Sequence, residues 1–143
     1  MLHFDEAEFA ERKARTLRAM AEAGLDGLLM FKQESMYWLT GYDSFGFCFF
    51  QCLVLTGSGD LVLLTRAPDL RQAQLTSILS DIRVWRDHEG ADPARELVAI
   101  LAEKGLLGRR LGVEWEAHGL TAARGRRLAG ALEGRAPTED ASL

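Results

Sequence analysis

Cysteine, proline and histidine are scarce in this sequence, which has two, three and three of them among 143 residues. Two cysteines cannot supply the disulfide framework that holds small secreted domains together, and a reducing compartment fits this composition. Cys48 and Cys52 fall in one predicted strand, where a separation of four positions would place them about 13 Å apart. Because a disulfide needs Cα atoms within about 7 Å, we interpret both as small buried apolar residues.

Long apolar segments are missing as well. The residues up to Gly24 are charged throughout and lack the apolar core of a secretory signal. The longest uncharged run, from Ser44 to Gly59, is too short and too polar for a transmembrane helix, which needs about 20 apolar residues. We therefore expect a soluble, cytoplasmic protein that has no membrane partner.

The sequence also has no excess of basic residues. Its net charge of −4 and its pI near 5.4 argue against a nucleic-acid partner, whose binding surface is normally basic. Arg124, Arg126 and Arg127 do cluster, but within a predicted helix they are expected to form a solvated face. The composition, 48% hydrophobic and 27% charged, is that of a globular protein, and we predict one domain over residues 1–143.

The helix and strand signals that are present predict an α/β fold. Asp5 and Glu8 can form a capping box for a first helix, and Phe4 can pack on Phe9. The segment 46–56 is apolar on both faces, which is typical of a strand in the middle of a covered sheet. Further strands are predicted over 25–31, 61–65, 82–85 and 111–115, and further helices over 35–39, 68–76, 93–105 and 121–134. This order predicts a three-layer domain, in which helices cover both faces of a mixed sheet.

Few residues suggest chemistry. Glu114, Glu116 and His118 are spaced by two and would suit a divalent metal if they shared one side of an extended segment. Because they straddle a strand end, where polar residues emerge into water, we favour a solvated loop edge. His88 lies in a polar loop without a second histidine four residues on. We therefore predict no metal ligand in this chain.

Nucleophile and phosphate motifs are also missing. The run Gly57-Ser58-Gly59 lacks the third glycine of a dinucleotide loop and leads into a strand, so we interpret it as a hairpin turn. No Gly-x-Ser-x-Gly nucleophile elbow is present. We therefore predict no catalytic residue in this chain.

Several short motifs, in this order, together resemble one family. They are GLDGLL at residues 24–29, YWLTGY at 37–42, LLTR at 63–66, LGVE at 111–114 and EDAS at 139–142. The chain resembles, over nearly its whole length, the amino-terminal domain of the creatinase, prolidase and aminopeptidase P family. The resemblance implies a ribonuclease-H-like sheet of the creatinase N-terminal type.

The resemblance also implies a longer parent enzyme. Members carry a second domain in which two aspartates, one histidine and two glutamates hold two metal ions, commonly Mn, Co or Zn, and none of these ligands can be placed here. The implied parent is a hydrolase of the Xaa-Pro dipeptidase or aminopeptidase type, acting on a small peptide or on a creatine-like or ectoine-like amide. The chain alone is expected to be inactive.

A site shared between two subunits is implied as well. In the family this domain helps to form a homodimer, and the segment after the Leu-Thr-Gly-Tyr motif walls the active-site cleft of the neighbouring subunit. The candidate cleft residues here are Tyr42, Asp43 and Phe47. Two alternatives stay open: that Phe45 and Phe47 are core aromatics of a strand, and that the chain is a stand-alone binding or scaffold domain.

Overall fold

The computed structural model describes residues 2–142 and has five α-helices and six strands within that range. The helices are α1 (Glu6–Glu22), α2 (Gln33–Thr40), α3 (Leu70–Thr76), α4 (Pro93–Glu103) and α5 (Ala122–Leu132). The strands are β1 (Gly27–Met30), β2 (Cys52–Thr56), β3 (Leu61–Arg66), β4 (Ile82–Trp85), β5 (Leu111–Val113) and β6 (Thr138–Asp140). No described helix is long and apolar enough to cross a membrane.

The helix ends follow the local signals of the sequence. The Asp5 carboxylate accepts a hydrogen bond from the backbone N–H of Glu8 at 2.8 Å, as the capping-box pattern predicts. The rings of Phe4 and Phe9 meet edge to face, with centroids 5.9 Å apart. Gly41 ends α2 at φ +84°, a left-handed conformation that favours glycine.

The sheet is mixed, with the strand order β4-β3-β2-β1-β5-β6. The strand β2 pairs antiparallel with β1 on one side and with β3 on the other, and β2 and β3 form the predicted hairpin. The outer pairings, β3 with β4, β1 with β5 and β5 with β6, are parallel. The carboxyl ends of β1 and β5 therefore lie side by side at one edge of the sheet.

Two apolar cores lie on opposite faces of this sheet. On β2, Cys52 and Val54 face a core that includes residues of α4 and α5. Leu53 and Leu55 face a second core, to which Met20 of α1 and residues of α2 and α3 contribute. All five residues of β2 are buried, because a central strand has no face to water. The predicted three-layer α/β domain with a mixed, covered sheet is confirmed.

The structure shortens three of the predicted strands, and β1 covers Gly27–Met30 where a strand over 25–31 was predicted. β2 begins at Cys52 and not at residue 46, because the preceding residues turn, with a backbone hydrogen bond of 2.9 Å from Phe49 N–H to the Gly46 carbonyl. β5 ends at Val113 and not at residue 115. The edge strand β6 was not predicted, because its three residues are polar and exposed and carry no apolar pattern.

The shorter β2 separates the environments of the two cysteines. Cys52 is fully buried, as predicted, whereas Cys48 is exposed, so the interpretation of Cys48 as buried is wrong. Burial raises the pKa of the Cys52 thiol well above its ordinary value, which disfavours the reactive thiolate. We expect one fast-reacting thiol per native chain in a titration with a disulfide reagent, and two in denaturant.

The Cys48→Ser variant is the control for this titration. It should abolish the fast phase and leave the slow reaction of Cys52 unchanged. Two fast equivalents in the native wild-type chain would contradict the burial of Cys52.

Candidate functional site

An open cleft of about 530 Å³ lies at the edge where β1 and β5 end. Ligand sites commonly form outside the carboxyl ends of neighbouring parallel strands, because the connecting loops diverge there. One wall comes from the residues between β1 and the first turn of α2, and the other comes from the loop after β5. The lining residues are Phe31, Lys32, Gln33, Glu34, Phe47, Glu116, Ala117 and His118.

Glu114 holds the two walls together. One carboxylate oxygen, Oε1, accepts hydrogen bonds from the backbone N–H groups of Phe31 at 3.0 Å and Lys32 at 3.1 Å. The other oxygen, Oε2, accepts from the Ser35 hydroxyl at 2.6 Å. Lys32 is the N-cap residue of α2 and makes no side-chain cap, and the Glu114 carboxylate lies beside this end of the helix, where the helix dipole favours a negative charge.

These contacts test the two interpretations of Glu114, Glu116 and His118, which are a metal site and a solvated loop edge. Glu114 is buried, so its assignment to a solvated loop edge is wrong, while Glu116 and His118 are exposed as expected. Both Glu114 oxygens are already occupied by donors of this chain, which leaves the trio without a shared metal position. Within residues 2–142 no group of three or more His, Cys, Asp or Glu side chains is arranged to hold a metal.

The aromatic loop, residues 43–51, forms the rim of the cleft. It presents Phe45 at 88% exposure and Phe47 at 45%, so the alternative that these two are core aromatics of a strand is wrong. The Phe47 ring meets the His118 imidazole edge to face, with centroids 6.0 Å apart. Asp43 is also exposed, and its backbone N–H donates to the Thr76 hydroxyl at 3.0 Å.

Buried hydrogen bonds fix the two ends of the aromatic loop. Gln51 accepts at Oε1 from the Tyr42 hydroxyl at 3.0 Å and from the Thr65 hydroxyl at 3.2 Å. Tyr42 is fully buried, and this burial raises the pKa of its phenol. The Ser44 hydroxyl accepts from the Gly46 N–H at 2.8 Å, and the Ser44 carbonyl accepts from the Gln33 amide at 2.8 Å. Exposed aromatic side chains are thus carried on a rigid base.

The loop after β5 supports the aromatic loop from the other side. A Cβ atom at Gly119 would lie 2.3 Å from the Phe49 carbonyl oxygen and 3.0 Å from that of Phe47, so the two backbones approach as closely as only glycine allows. The Arg124 guanidinium donates to the Cys48 carbonyl at 2.6 Å and to the Gly119 carbonyl at 3.0 Å. Arg124 is therefore a bridging residue, and its interpretation as part of a solvated face is wrong.

The three residues predicted from the sequence have different places here. Phe47 lines the cleft, Asp43 is exposed on the aromatic loop, and Tyr42 lies in the core beneath that loop. Tyr42 can therefore act on the site by holding the loop, and not by presenting its own side chain. The cleft thus brings an aromatic edge, an imidazole and carboxylates together.

Residues 12–142 match the Creatinase/Prolidase N-terminal domain family, and the chain belongs to this family. It is 32% identical over 104 residues to the ectoine hydrolase of Halomonas elongata, a match that covers 71% of this chain and 26% of that protein. It is 30% identical over 129 residues to an uncharacterised hydrolase/peptidase of Sinorhizobium fredii, covering 85% of this chain and 33% of that one. The chain thus spans about a quarter to a third of the length of these curated relatives.

A solved structure supports the same assignment. The crystal structure of the N-terminal domain of the cytoplasmic peptidase PepQ from Mycobacterium tuberculosis superposes with a TM-score of 0.70 at 25% identity. The match covers 92% of this chain and 93% of that one. The predicted family and the predicted creatinase N-terminal fold are both confirmed.

Proposed function

We propose that this chain is the non-catalytic N-terminal domain of a metal-dependent hydrolase of the Xaa-Pro peptidase type. In this proposal the domain helps to form a homodimer, and its aromatic loop walls the active-site cleft of the neighbouring subunit. The observation that carries the proposal is the exposed Phe47 side chain, which a rigid loop holds at the rim of an open cleft. The names of the relatives, hydrolases and peptidases, support the same class.

The two metal ions of such an enzyme would belong to its catalytic domain. Residues 2–142 do not fit them, since this range has no group of three potential ligands and both Glu114 oxygens accept hydrogen bonds from this chain. Bond cleavage is therefore assigned to the second domain. The role of this domain is to position substrate and to exclude water from the site, which raises the rate by fixing reactive geometry.

The substrate would be a small peptide or a cyclic or linear amide. An apolar ring of such a molecule can pack on Phe47, while its N–H groups can donate to the exposed Glu34 and Glu116 carboxylates in the same cleft. Lys32 is less available, because its ammonium group already donates to the Ser142 carbonyl at 3.1 Å. A cytoplasmic location, as in the name of the Mycobacterium peptidase, suits this role.

A stand-alone binding domain is the second candidate. It is favoured by Phe45, which is 88% exposed on a fixed loop and would suit a protein partner. The coding sequence downstream of residue 143 separates the two candidates. A reading frame that continues into a domain with two aspartates, one histidine and two glutamates supports the enzyme, and a stop codon there supports the binding domain.

Substitutions in the aromatic loop of the full-length protein test the proposed role. We expect Phe47→Ala to lower kcat/KM by about tenfold, because an apolar contact with the substrate is lost. Asp43→Ala should lower kcat/KM as well. Metal content, measured by elemental analysis, should stay unchanged for both variants, since neither residue belongs to a metal site.

Leu107→Ala is the matched control, because Leu107 is a 38% exposed apolar residue outside the lining of the cleft. Its kcat/KM should equal that of the wild type. Unchanged kcat/KM in both loop variants would contradict the proposed wall of the cleft.

A further inference from the structure

Helix α5 has an unusual charge for a helix of an acidic protein. Its sequence, AARGRRLAGAL, contains three arginines and no acidic residue, although the whole chain has a net charge of −4. Arg124 is used inside the fold, as described above. Arg126 and Arg127 are exposed on the outer layer of the domain. The packing of the loops, which explains Arg124, therefore does not explain these two arginines.

Arg127 lines a groove that the sequence did not indicate. The groove has a volume of about 560 Å³ and is formed by the start of α4 and the second half of α5, a size that suits a small ligand. Arg95 and Arg135 reach it from α4 and from the residues after α5. Its lining residues are Gly90, Ala91, Asp92, Arg95, Arg127, Ala131 and Arg135.

The arginines of this groove have no acidic partner in the described part of the chain. The ion pairs there use Arg12, Arg66, Arg83, Arg110 and Lys104 as cations.

Among the groove arginines, the Arg135 guanidinium donates to the Ala131 carbonyl at 3.1 Å, a contact that leaves most of its donors available. Asp92 is the single carboxylate in the lining, and it already accepts from the backbone N–H of Arg95 as the N-cap of α4.

A second groove of about 550 Å³ continues the first one along α4. It shares Gly90, Asp92 and Arg95 with the first groove and adds Arg86 and His88. Glu96 also lines it, so the negative charge increases away from α5. The positive charge is therefore greatest in the first groove, among Arg95, Arg127 and Arg135.

We propose that the groove between α4 and α5 binds a small molecule with two or more phosphate groups. Each guanidinium offers a planar fork of N–H donors that matches two phosphate oxygens. Three such forks line one groove whose single carboxylate is that of Asp92. A bound diphosphate would also relieve the repulsion between the like charges. The groove is separate from the cleft beside the aromatic loop, so this inference does not depend on the proposed function.

The test is an NMR titration of the ¹⁵N-labelled chain with inorganic pyrophosphate, with citrate as a polycarboxylate comparison. We expect saturable shifts of the Gly90 and Ala91 amides with pyrophosphate, and weaker binding of citrate. Arg95→Gln and Arg127→Gln should each weaken pyrophosphate binding by about tenfold, because each removes a charge-assisted pair of hydrogen bonds. The matched control is Arg18→Gln, which removes an exposed arginine of α1 outside the groove.

Each outcome of the titration either supports or overturns the proposed phosphate site. Absence of saturable shifts would overturn the site. An equal loss of affinity in Arg18→Gln would show only diffuse attraction to a solvated surface, and equal affinity for citrate would overturn the assignment to phosphate. The amide spectra of the variants report their folding directly, and either groove variant alone is sufficient for the comparison.

Discussion

Gly119→Ala is expected to destabilise the domain by about 3 kcal/mol, because the new methyl group overlaps the backbone of the aromatic loop. The nearest atom is the Phe49 carbonyl oxygen, 2.3 Å from the Cβ position. A carbonyl oxygen cannot rotate away as the end of a flexible side chain can, so the two loops must separate. For a chain of this size the melting temperature should fall by about 10 °C, which calorimetry measures directly.

Gly125→Ala is the matched control for this substitution. Gly125 lies within α5, and a Cβ atom there meets no other atom within 4 Å. Alanine is the better helix former, so we expect this variant to be more stable than the wild type by up to about 1 kcal/mol. If Gly119→Ala melted at the wild-type temperature, the close packing of the two loops would be wrong.

Glu114→Ala is expected to cost about 3 kcal/mol of unfolding free energy, because two backbone N–H groups and a hydroxyl lose their shared acceptor. The amide hydrogens of Phe31 and Lys32 should exchange with solvent much faster in this variant, since Oε1 is their partner. Denaturant unfolding gives the free energy, and hydrogen exchange gives the location of the effect.

Glu114→Gln separates the hydrogen bonds from the charge. The amide oxygen can still accept from both N–H groups, and the amide nitrogen can donate to the Ser35 hydroxyl. We therefore expect a loss of about 1 kcal/mol and continued protection of the Phe31 and Lys32 amides. Equal stability of Glu114→Ala and the wild type would contradict the role of Glu114 in holding the two walls of the cleft together.

Local signals were sufficient to locate the starts of α1, α4 and α5. Asp5, Asp92 and Thr121 each accept a hydrogen bond from a backbone N–H three residues on, as their residue types predict. The strand β4 was predicted with its observed bounds, Ile82–Trp85. The burial of both faces of β2 also followed from its uninterrupted apolar run. These features depend on residues that are close in the sequence, or on the apolar pattern within one segment.

The errors occurred where distant segments decide the structure. The aromatic loop has the apolar character of a strand, but its Phe50 and Cys48 carbonyls accept hydrogen bonds from the side chains of Trp85 and Arg124 instead of from a neighbouring strand. Glu114 follows a strand end, as an exposed residue would, and its burial depends on Phe31, more than 80 residues away. One signal was available: Lys32 is a poor N-cap residue, and the positive end of the α2 dipole favours a nearby carboxylate.

The sequence indicated one wall of the candidate cleft, and the role of its residues towards a neighbouring subunit stays a prediction. The Leu-Thr-Gly-Tyr motif led to the aromatic loop and to Phe47 at the cleft. The opposite wall, with Glu116 and His118, was considered for a different purpose, as a metal site. Its place beside Phe47 follows from the parallel pairing of β1 with β5, which no local pattern in either strand specifies.

Activity in mixed dimers of the full-length protein tests the proposed cross-subunit role most directly. One subunit keeps its metal site and the other carries a metal-ligand substitution, and Phe47→Ala is placed in either one. We expect Phe47→Ala to lower activity when it is in the metal-deficient subunit, whose loop walls the intact site. We also expect wild-type activity per intact site when Phe47→Ala is instead in the subunit that keeps its metal site, because the loop of the other subunit, which walls that site, is then unchanged. Loss of activity only when Phe47→Ala and the intact metal site share one subunit would contradict the account.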